Sequence, residues 1–316
     1  MISWLVKSLR NKALVLFVFL SVIPLLTFGI TMYMKATRVL ESKLNYLATQ
    51  NVSSLAVTLS RDFQALLDAV TSSSEGLGPL MSTVLSNDTD QQKVFYRIKG
   101  EMTGNMAVKR LNYPYHYIIF AKNGNVYTNF TFSSGEKYRL LKEKISGEKW
   151  FEALMNSNYR QSIVYARDSY LSQEGQRQLY VAGNISVEDD TVGVLIMGID
   201  DYHFSKILKG VRASEKSSMY LIDGKGECFI KGSDNYIGYD RIPEPLISQI
   251  VAKSAAPQYV DISGGRHMVI SKAFSLKGLD DTWNVLMVTP LEDIHKDIND
   301  IKSIIAGLLF FSLAAL

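Results

Sequence analysis

Residues Ala13 to Met34 read ALVLFVFLSVIPLLTFGITMYM, about 22 residues without a charge. At 1.5 Å per residue, such a run can cross a hydrocarbon core about 30 Å thick. The chain therefore has to be read first as one that meets a membrane. Lys7, Arg10 and Lys12 precede the run. A cleaved signal peptide would have a shorter apolar core, about 7–15 residues, ending in a small-x-small site. Met34-Lys35-Ala36 is not such a site, so the expectation is an uncleaved anchor, with Pro24 a kink that bilayers tolerate. A second run, IIAGLLFFSLAAL, starts at Ile304 and reaches Leu316. Its roughly 13 residues are too few to cross. It reads as the beginning of a second membrane helix, and the sequence as the front part of a longer protein. Flanking charge does not orient the anchor, because Lys35, Arg38 and Lys43 balance the three basic residues on its other side. The layout (short basic amino terminus, anchor, large domain, second span) places the middle of the chain outside the cytoplasm by analogy with receptors.

Charge and motifs exclude several classes. The net charge is +3 and the Lys and Arg residues are dispersed, so no nucleic acid partner is expected. A single cysteine, Cys228, rules out an internal disulfide or a cysteine-built zinc site. His116, His203, His267 and His295 show no metal-ligand spacing, and HExxH is absent. Gly224-Lys-Gly226 lacks the third glycine of a dinucleotide loop and sits in a hairpin, where no helix follows to receive a phosphate. No Walker A sequence or nucleophile elbow occurs. The acidic pairs Asp189-Asp190, Asp200-Asp201 and Asp280-Asp281 fall at strand ends, where turns and caps account for them. The expectation is a chain with no catalytic residue, no metal and no cofactor.

Beyond the anchor, Leu40, Leu44, Leu47, Leu55, Leu59, Phe63, Leu66 and Val70 recur at helical spacing, with Asn51 at an apolar position. The spacing predicts a stalk helix from about Thr31 to Ser74, ending in the breaker cluster Thr71-Ser-Ser-Ser-Glu-Gly76. The stripe can pack on the chain's own domain. It can also form a dimer seam in which Asn51 fixes register.

Two similar units follow. The first opens with the strands HYIIFA and VYTNF around Asn123-Gly124, the second with SMYLID and ECFIKG around Gly224-Lys-Gly226. Both are β-hairpin signals. Each is followed by a helix, Glu136 to Asn156 and Glu244 to Ser254. Three more strands complete each unit: SIVYARD, QLYVAGNIS and TVGVLIMGID in the first, QYVDIS, RHMVISKAF and TWNVLMVTP in the second. The fold class expected is α+β. It consists of two tandem PAS-like modules with five-stranded antiparallel sheets, a long amino-terminal stalk helix, and transmembrane helices at both ends. The segments are 1–12, a cytoplasmic amino terminus; 13–34, the first membrane helix; 35–75, the stalk; 76–212, the membrane-distal module; 213–290, the proximal module; 291–303, a connecting helix; and 304–316, an incomplete second membrane helix.

This layout, over about Val39 to Ile294, resembles the double Cache (dCache) sensor domain. The start, Leu9-Arg-Asn-Lys-Ala13 and Leu20-Ser-Val-Ile-Pro-Leu-Leu26 followed by Tyr33, resembles the first segment of YesM-like two-component sensor histidine kinases. The resemblance implies a distal module that binds a small ligand, and a cytoplasmic HAMP and kinase portion that is missing here and acts on a response regulator. Aromatic side chains with a few polar groups suit such a pocket. The candidates are Trp150 and Phe151 on the helix and Tyr127, Tyr165, Arg167, Asp168 and Tyr180 on the strands. The amino-acid-binding subset of that family places Arg two positions before a Trp-Tyr pair and Tyr further upstream. Here those positions hold Glu148 and Glu143, Trp150-Phe151 matches the pair loosely, and only Asp168 can stand for a later Asp. The ligand class therefore stays open among carbohydrate, carboxylate, peptide and an extracytoplasmic binding protein. The partners expected are that ligand, the membrane and a second copy of the chain. In place of a kinase, the output can be a chemoreceptor, a diguanylate cyclase or an AraC-type transmembrane regulator. An anchored binding protein without output fits the same layout, and an anchored enzyme has no positive motif in its favour.

Overall fold

The computed structural model describes residues 9–86, 90–111, 113–129, 135–156, 161–165, 179–199, 206–208, 210–211, 214, 216–222, 228–233, 236–238, 256–262, 264–279, 282–294, 303 and 307. One helix dominates it. α1 runs unbroken from Leu9 to Ser86 over 78 residues. The expected break at Thr71 to Gly76 does not occur. These small residues are a packing surface: Ser73 and Ser74 are buried, and the Thr71 hydroxyl donates back to the Leu67 carbonyl at 3.0 Å. One turn on, Gly78 lies so close to the distal sheet that a Cβ would stand 2.7 Å from the Ser186 carbonyl oxygen. The cluster reads as a breaker from composition, but a helix pressed against a sheet needs small residues where backbones approach. Gly78→Val is therefore expected to cost about 1–3 kcal/mol through overpacking, measured as a lower denaturation midpoint. An unchanged midpoint would show that the contact relaxes freely.

α2 (Gln91–Gly104) and α3 (Met106–Lys109) follow. Asp90 caps the first, accepting from the Gln92 N–H at 3.0 Å. Asn105 caps the second, accepting from Ala107 N–H at 2.8 Å while its amide donates to Ser72 Oγ on α1 at 3.0 Å. β1 (Tyr115–Ala121) and β2 (Val126–Thr128) form the first hairpin, whose turn needs Gly124 at φ 84°. The single helix expected over Glu136 to Asn156 is two, α4 (Gly135–Ser146) and α5 (Lys149–Asn156). β3 (Gln161–Tyr165), β4 (Leu179–Val187) and β5 (Asp190–Ile199) complete an antiparallel sheet in the order β2-β1-β5-β4-β3.

The second sheet comprises β6 (Ser218–Ile222), β7 (Cys228–Ser233), β8 (Tyr236–Gly238), β9 (Gln258–Ile262), β10 (Gly265–Ser275) and β11 (Thr282–Pro290). Its order is β8-β7-β6-β11-β10-β9. It has six strands where five were expected, because the chain after β7 turns back to pair Tyr236 with Ser233 at the sheet edge. The helix expected over Glu244 to Ser254 lies outside the described residues. Of the connecting helix, residues 291–294 are described and helical.

Both sheets bury both faces, which is why their central strands read as continuous apolar runs. One core joins the inner faces of the two sheets to α1. Leu59, Phe63, Leu66 and Val70 meet Ile119, Val181 and Leu195 of the distal sheet and Met219, Leu221, Trp283 and Val285 of the proximal one. Phe63 stacks on Trp283, with ring centroids 5.9 Å apart and planes 30° apart. Near that point the modules approach each other. Lys277 N–H donates to Gln64 Oε1 at 2.9 Å, and the Gln161 amide donates to the Leu67 carbonyl at 3.1 Å and also bonds Thr71 Oγ1.

The stalk stripe thus packs on its own domain from Ala48 onward. Asn51, expected to fix a dimer register, donates instead to the Val211 carbonyl of its own chain at 3.4 Å. Below that point α1 presents exposed apolar side chains: Val39, Tyr46 and Leu47, and further down Leu16, Phe17, Phe19, Leu20, Ile23, Phe28, Ile30, Met32 and Met34. Among the described residues no helix is long and apolar enough to cross a membrane. The expected spans 13–34 and 304–316 are not confirmed by that criterion. Several side chains of the first fall outside the described set, as does nearly all of the second.

Candidate functional site

The outer face of the distal sheet is covered by α4 and α5. Ile118 and Phe120 of β1, Tyr180 and Ala182 of β4, and Val194 and Ile196 of β5 form its floor, with Ile145 and Leu154 above them. Trp150 and Phe151 are only partly buried against this cluster. Phe151 meets Phe120 edge-on at 5.5 Å, and Trp150 meets Phe151 at 5.8 Å with perpendicular planes. Edge-to-face packing of this kind holds rings in defined orientations, and it leaves an aromatic wall at the rim of the sheet.

Three of the residues expected in the pocket, Trp150, Phe151 and Tyr180, are therefore brought together. Tyr127 is not among them. It pairs across β1 with Ile119 and is buried in the core facing α1, because strand residues of opposite parity face opposite sides of a sheet. Tyr165 ends β3 opposite Leu179. Arg167 and Asp168 lie outside the described residues. Glu143 is engaged on the helix surface with Arg139 at 3.2 Å. The Glu148 carbonyl accepts from Phe151 and Glu152 N–H at the start of α5. Among the described residues no cluster of His, Cys, Asp or Glu could hold a metal ion.

At the amino-terminal end of β1, tyrosines are desolvated. Burial, and then the neighbouring Tyr115, pushes the Tyr117 hydroxyl up from 10.0 to about 12. Tyr113 is pushed further, by burial first and then by the Asp62 carboxylate, and donates to the Asp62 carbonyl at 2.9 Å. The Tyr117 hydroxyl is buried without a hydrogen-bond partner among the described residues. A phenol whose folded-state pKa is raised contributes stability in full below its unfolded value. That contribution is lost as pH rises from about 10 toward 12. Stability is thus expected to fall over that window, and Tyr117→Phe to reduce the fall without loss at pH 7. Thermal unfolding across pH 7–12 checks this, and a larger alkaline loss in the variant would contradict it.

A concavity lies in the proximal module. It has a volume of about 470 Å³ and lies between Glu41 and Asn45 of α1, Tyr259, Gly264, Gly265 and Arg266 of the β9–β10 hairpin, and Leu291, Glu292 and Ile294 where β11 ends. The Asn45 amide donates to the Tyr259 hydroxyl at 3.2 Å, and the Arg266 guanidinium stands 5.7 Å over the Tyr259 ring. Nothing in the sequence singles these residues out, since they are separated by more than two hundred positions.

A long helix under two sheets, with a helix-covered outer face on the distal one, can be compared with solved structures. The fold is that of the periplasmic sensory domains of bacterial chemoreceptors. The sensory domain of the Campylobacter jejuni chemoreceptor Tlp1 superposes with a TM-score of 0.56 at 13% identity, covering 81% of this chain and 98% of its own. A protein described as methyl-accepting chemotaxis protein X gives 0.53 at 14% identity, covering 80% and 99%. The ligand-binding domain of the Pseudomonas aeruginosa amino acid chemoreceptor PctC, in complex with GABA, gives 0.50 at 14% identity, covering 78% and 99%. At such identities the likeness is one of fold. No family model and no curated protein matches the sequence.

Proposed function

We propose that this chain is the extracytoplasmic, ligand-sensing region of a membrane-anchored signalling receptor, without a catalytic site of its own. The observation that carries the reading is α1. It leaves a stretch of exposed apolar side chains at residues 16–34 and continues without a break beneath both sheets to Ser86. Exposed apolar residues at adjacent positions, such as Leu16-Phe17 and Phe19-Leu20, point to different sides of the helix. A helix apolar all round is suited to a bilayer. Exposed Val39, Tyr46 and Leu47 support self-association through the lower stalk. The kinship of fold with sensory domains supports small-molecule sensing on the outer distal face, at Trp150, Phe151 and Tyr180. Because the same floor strands also contact α1 through their other face, a ligand that binds two packings of that sheet differently shifts the position of α1.

For the output, the amino-terminal segment supports a sensor histidine kinase working on a response regulator, and the solved neighbours support a chemoreceptor. The coding sequence downstream of Leu316 separates the two. The sensing claim is tested by thermal shift of the full chain in detergent against sugars, organic acids, amino acids and nucleobases. A ligand specific for the folded state adds about 2.7 kcal/mol at 100 times its dissociation constant. The expected result is a hit that Trp150→Ala abolishes, with the unliganded variant still folded. A hit that survives Trp150→Ala would remove the distal wall from the reading.

A further inference from the structure

α2 has no role in the reading above, and its outer face works against its own helix. Val94, Ile98 and Met102 are its buried side. At 3.6 residues per turn, Tyr96, Gly100 and Thr103 fall on the opposite side. Lys93 and Lys99 flank Tyr96 about one turn before and after it, and Arg97 lies one turn beyond Lys93. All six residues are exposed. Lys93 stands in the first turn, where the helix dipole disfavours a cation, and Arg97 repels it at four residues' spacing. Gly100 is inside the helix, where glycine costs stability relative to alanine. Yet a Cβ there would meet nothing within 4 Å, so the fold draws no packing benefit from that glycine. Nearby acids do not neutralise the face. Asp90 caps the helix through the Gln92 N–H. Glu101 is one turn from Arg97, but its carboxylate lies beside Gly76 of α1, 3.7 Å from where a Cβ would stand. Glu75 is on α1 next to Gly76, and Asp88 lies outside the described residues. Among the described residues Lys93, Arg97 and Lys99 form no ion pair.

We propose that the outer face of α2 docks an acidic surface of another protein on the same side of the membrane. An apolar side chain of the partner sits beside Tyr96 over Gly100, and its carboxylates meet Lys93, Arg97 and Lys99. Places where a sequence breaks its own local rules without internal compensation are where function is expected. Tyr96 is 62% exposed, and its ring is held edge-on to Phe95 at 5.9 Å, so the anchor is ordered before a partner arrives. Gly100, one turn on, leaves a notch beside it. Tyrosine and arginine are the residue types that dominate binding energy at protein interfaces, and the cations supply complementarity and a faster encounter. Lys109 and Arg110, both exposed beyond the end of α2, extend the same positive field. A purely ionic polymer would use the cations but neither the ring nor the notch. The anionic surface of a bilayer is excluded by distance, which rests on the anchor proposed above. Gly76, beside Glu101 of α2, follows Met34 by 42 residues of unbroken helix, about 60 Å.

The test is photo-crosslinking of the full chain in the cells that naturally carry it, with p-benzoylphenylalanine at Gln92. That position is exposed and one turn before Tyr96. The expected result is one discrete adduct to a protein whose cross-linked segment is rich in Asp and Glu. Lys93→Glu should lower the adduct yield about ten-fold, and so should Gly100→Leu, which fills the notch. Neither variant should melt below the parent chain. Lys93→Glu places an acid in the first turn, four residues before Arg97, and leucine is a better helix former than glycine. Docking lost with stability kept is a result that a merely structural role of this face would not give. No adduct, an adduct that survives both substitutions, or one that maps to this chain itself overturns the inference. An adduct lost in Lys93→Glu but kept in Gly100→Leu shows a contact made by charge alone and also overturns it. So does a lower melting temperature in both variants, which would assign the face to the fold. Recovery of the chain in the membrane fraction of the same cells reports on the proposed anchor separately.

Discussion

Phe63→Ala should lower the unfolding free energy by about 3–5 kcal/mol, the usual cost of removing a large buried aromatic side chain. Phe63 is fully buried in α1 and stacks on Trp283 of the proximal sheet. Truncation removes that ring contact and leaves a void in a core shared by α1 and both sheets. Its neighbours Leu59, Leu66 and Leu67 are themselves fully buried, so the void cannot close without shifting α1 as a body. The measurement is chemical denaturation of the full chain in detergent, followed by circular dichroism. Because one core spans both modules, the loss should appear in a single shifted transition. Val57→Ala, on the exposed side of the same helix, should change stability by no more than about 0.5 kcal/mol. A loss below about 1 kcal/mol for Phe63→Ala would contradict the shared core.

Ala69→Pro should have an effect of similar size, about 3 kcal/mol or more, by a different route. The substitution removes the backbone N–H that bonds the Ala65 carbonyl and drives the ring into that carbonyl. α1 already contains Pro24 and Pro79, but both are exposed, where a helix can bend. Ala69 is completely enclosed, between Gln161 bonded to Leu67 and Thr71 on one side and the junction at Gln64 on the other. A kink there has to break packing on both sheets. In a receptor assay the variant should also uncouple ligand binding from output. Retained stability would mean that α1 is not the rigid element that joins the modules.

The sheets were legible because their residues obey local rules. TWNVLMVTP bounds β11 from Thr282 to Pro290, since an apolar run between turn signals leaves the strand little freedom in its ends. The helix length was not legible. Thr71 to Gly76 signals a break by composition, and only the tertiary packing that buries Ser73 and Ser74 turns small residues into a contact. The face of Tyr127 was readable in principle: opposite Ile119 in the hairpin, its parity places it toward α1 and away from Trp150. The role of Asn51 was not readable, because its partner Val211 is 160 residues away. The cleft between Asn45, Tyr259 and Glu292 was hidden for the same reason, since no local pattern announces a junction of three distant segments.

The most direct test of the account is the side of the membrane on which the sheets lie. Cys228 is the only cysteine, so Cys228→Ala combined with Glu188→Cys leaves one thiol, in the exposed turn between β4 and β5. A membrane-impermeant maleimide is applied to spheroplasts expressing this variant, before and after lysis. An extracytoplasmic sensor should be labelled to the same extent in both, with residues 13–34 holding it in the membrane fraction. Labelling that appears only after lysis would place the sheets in the cytoplasm and contradict the account.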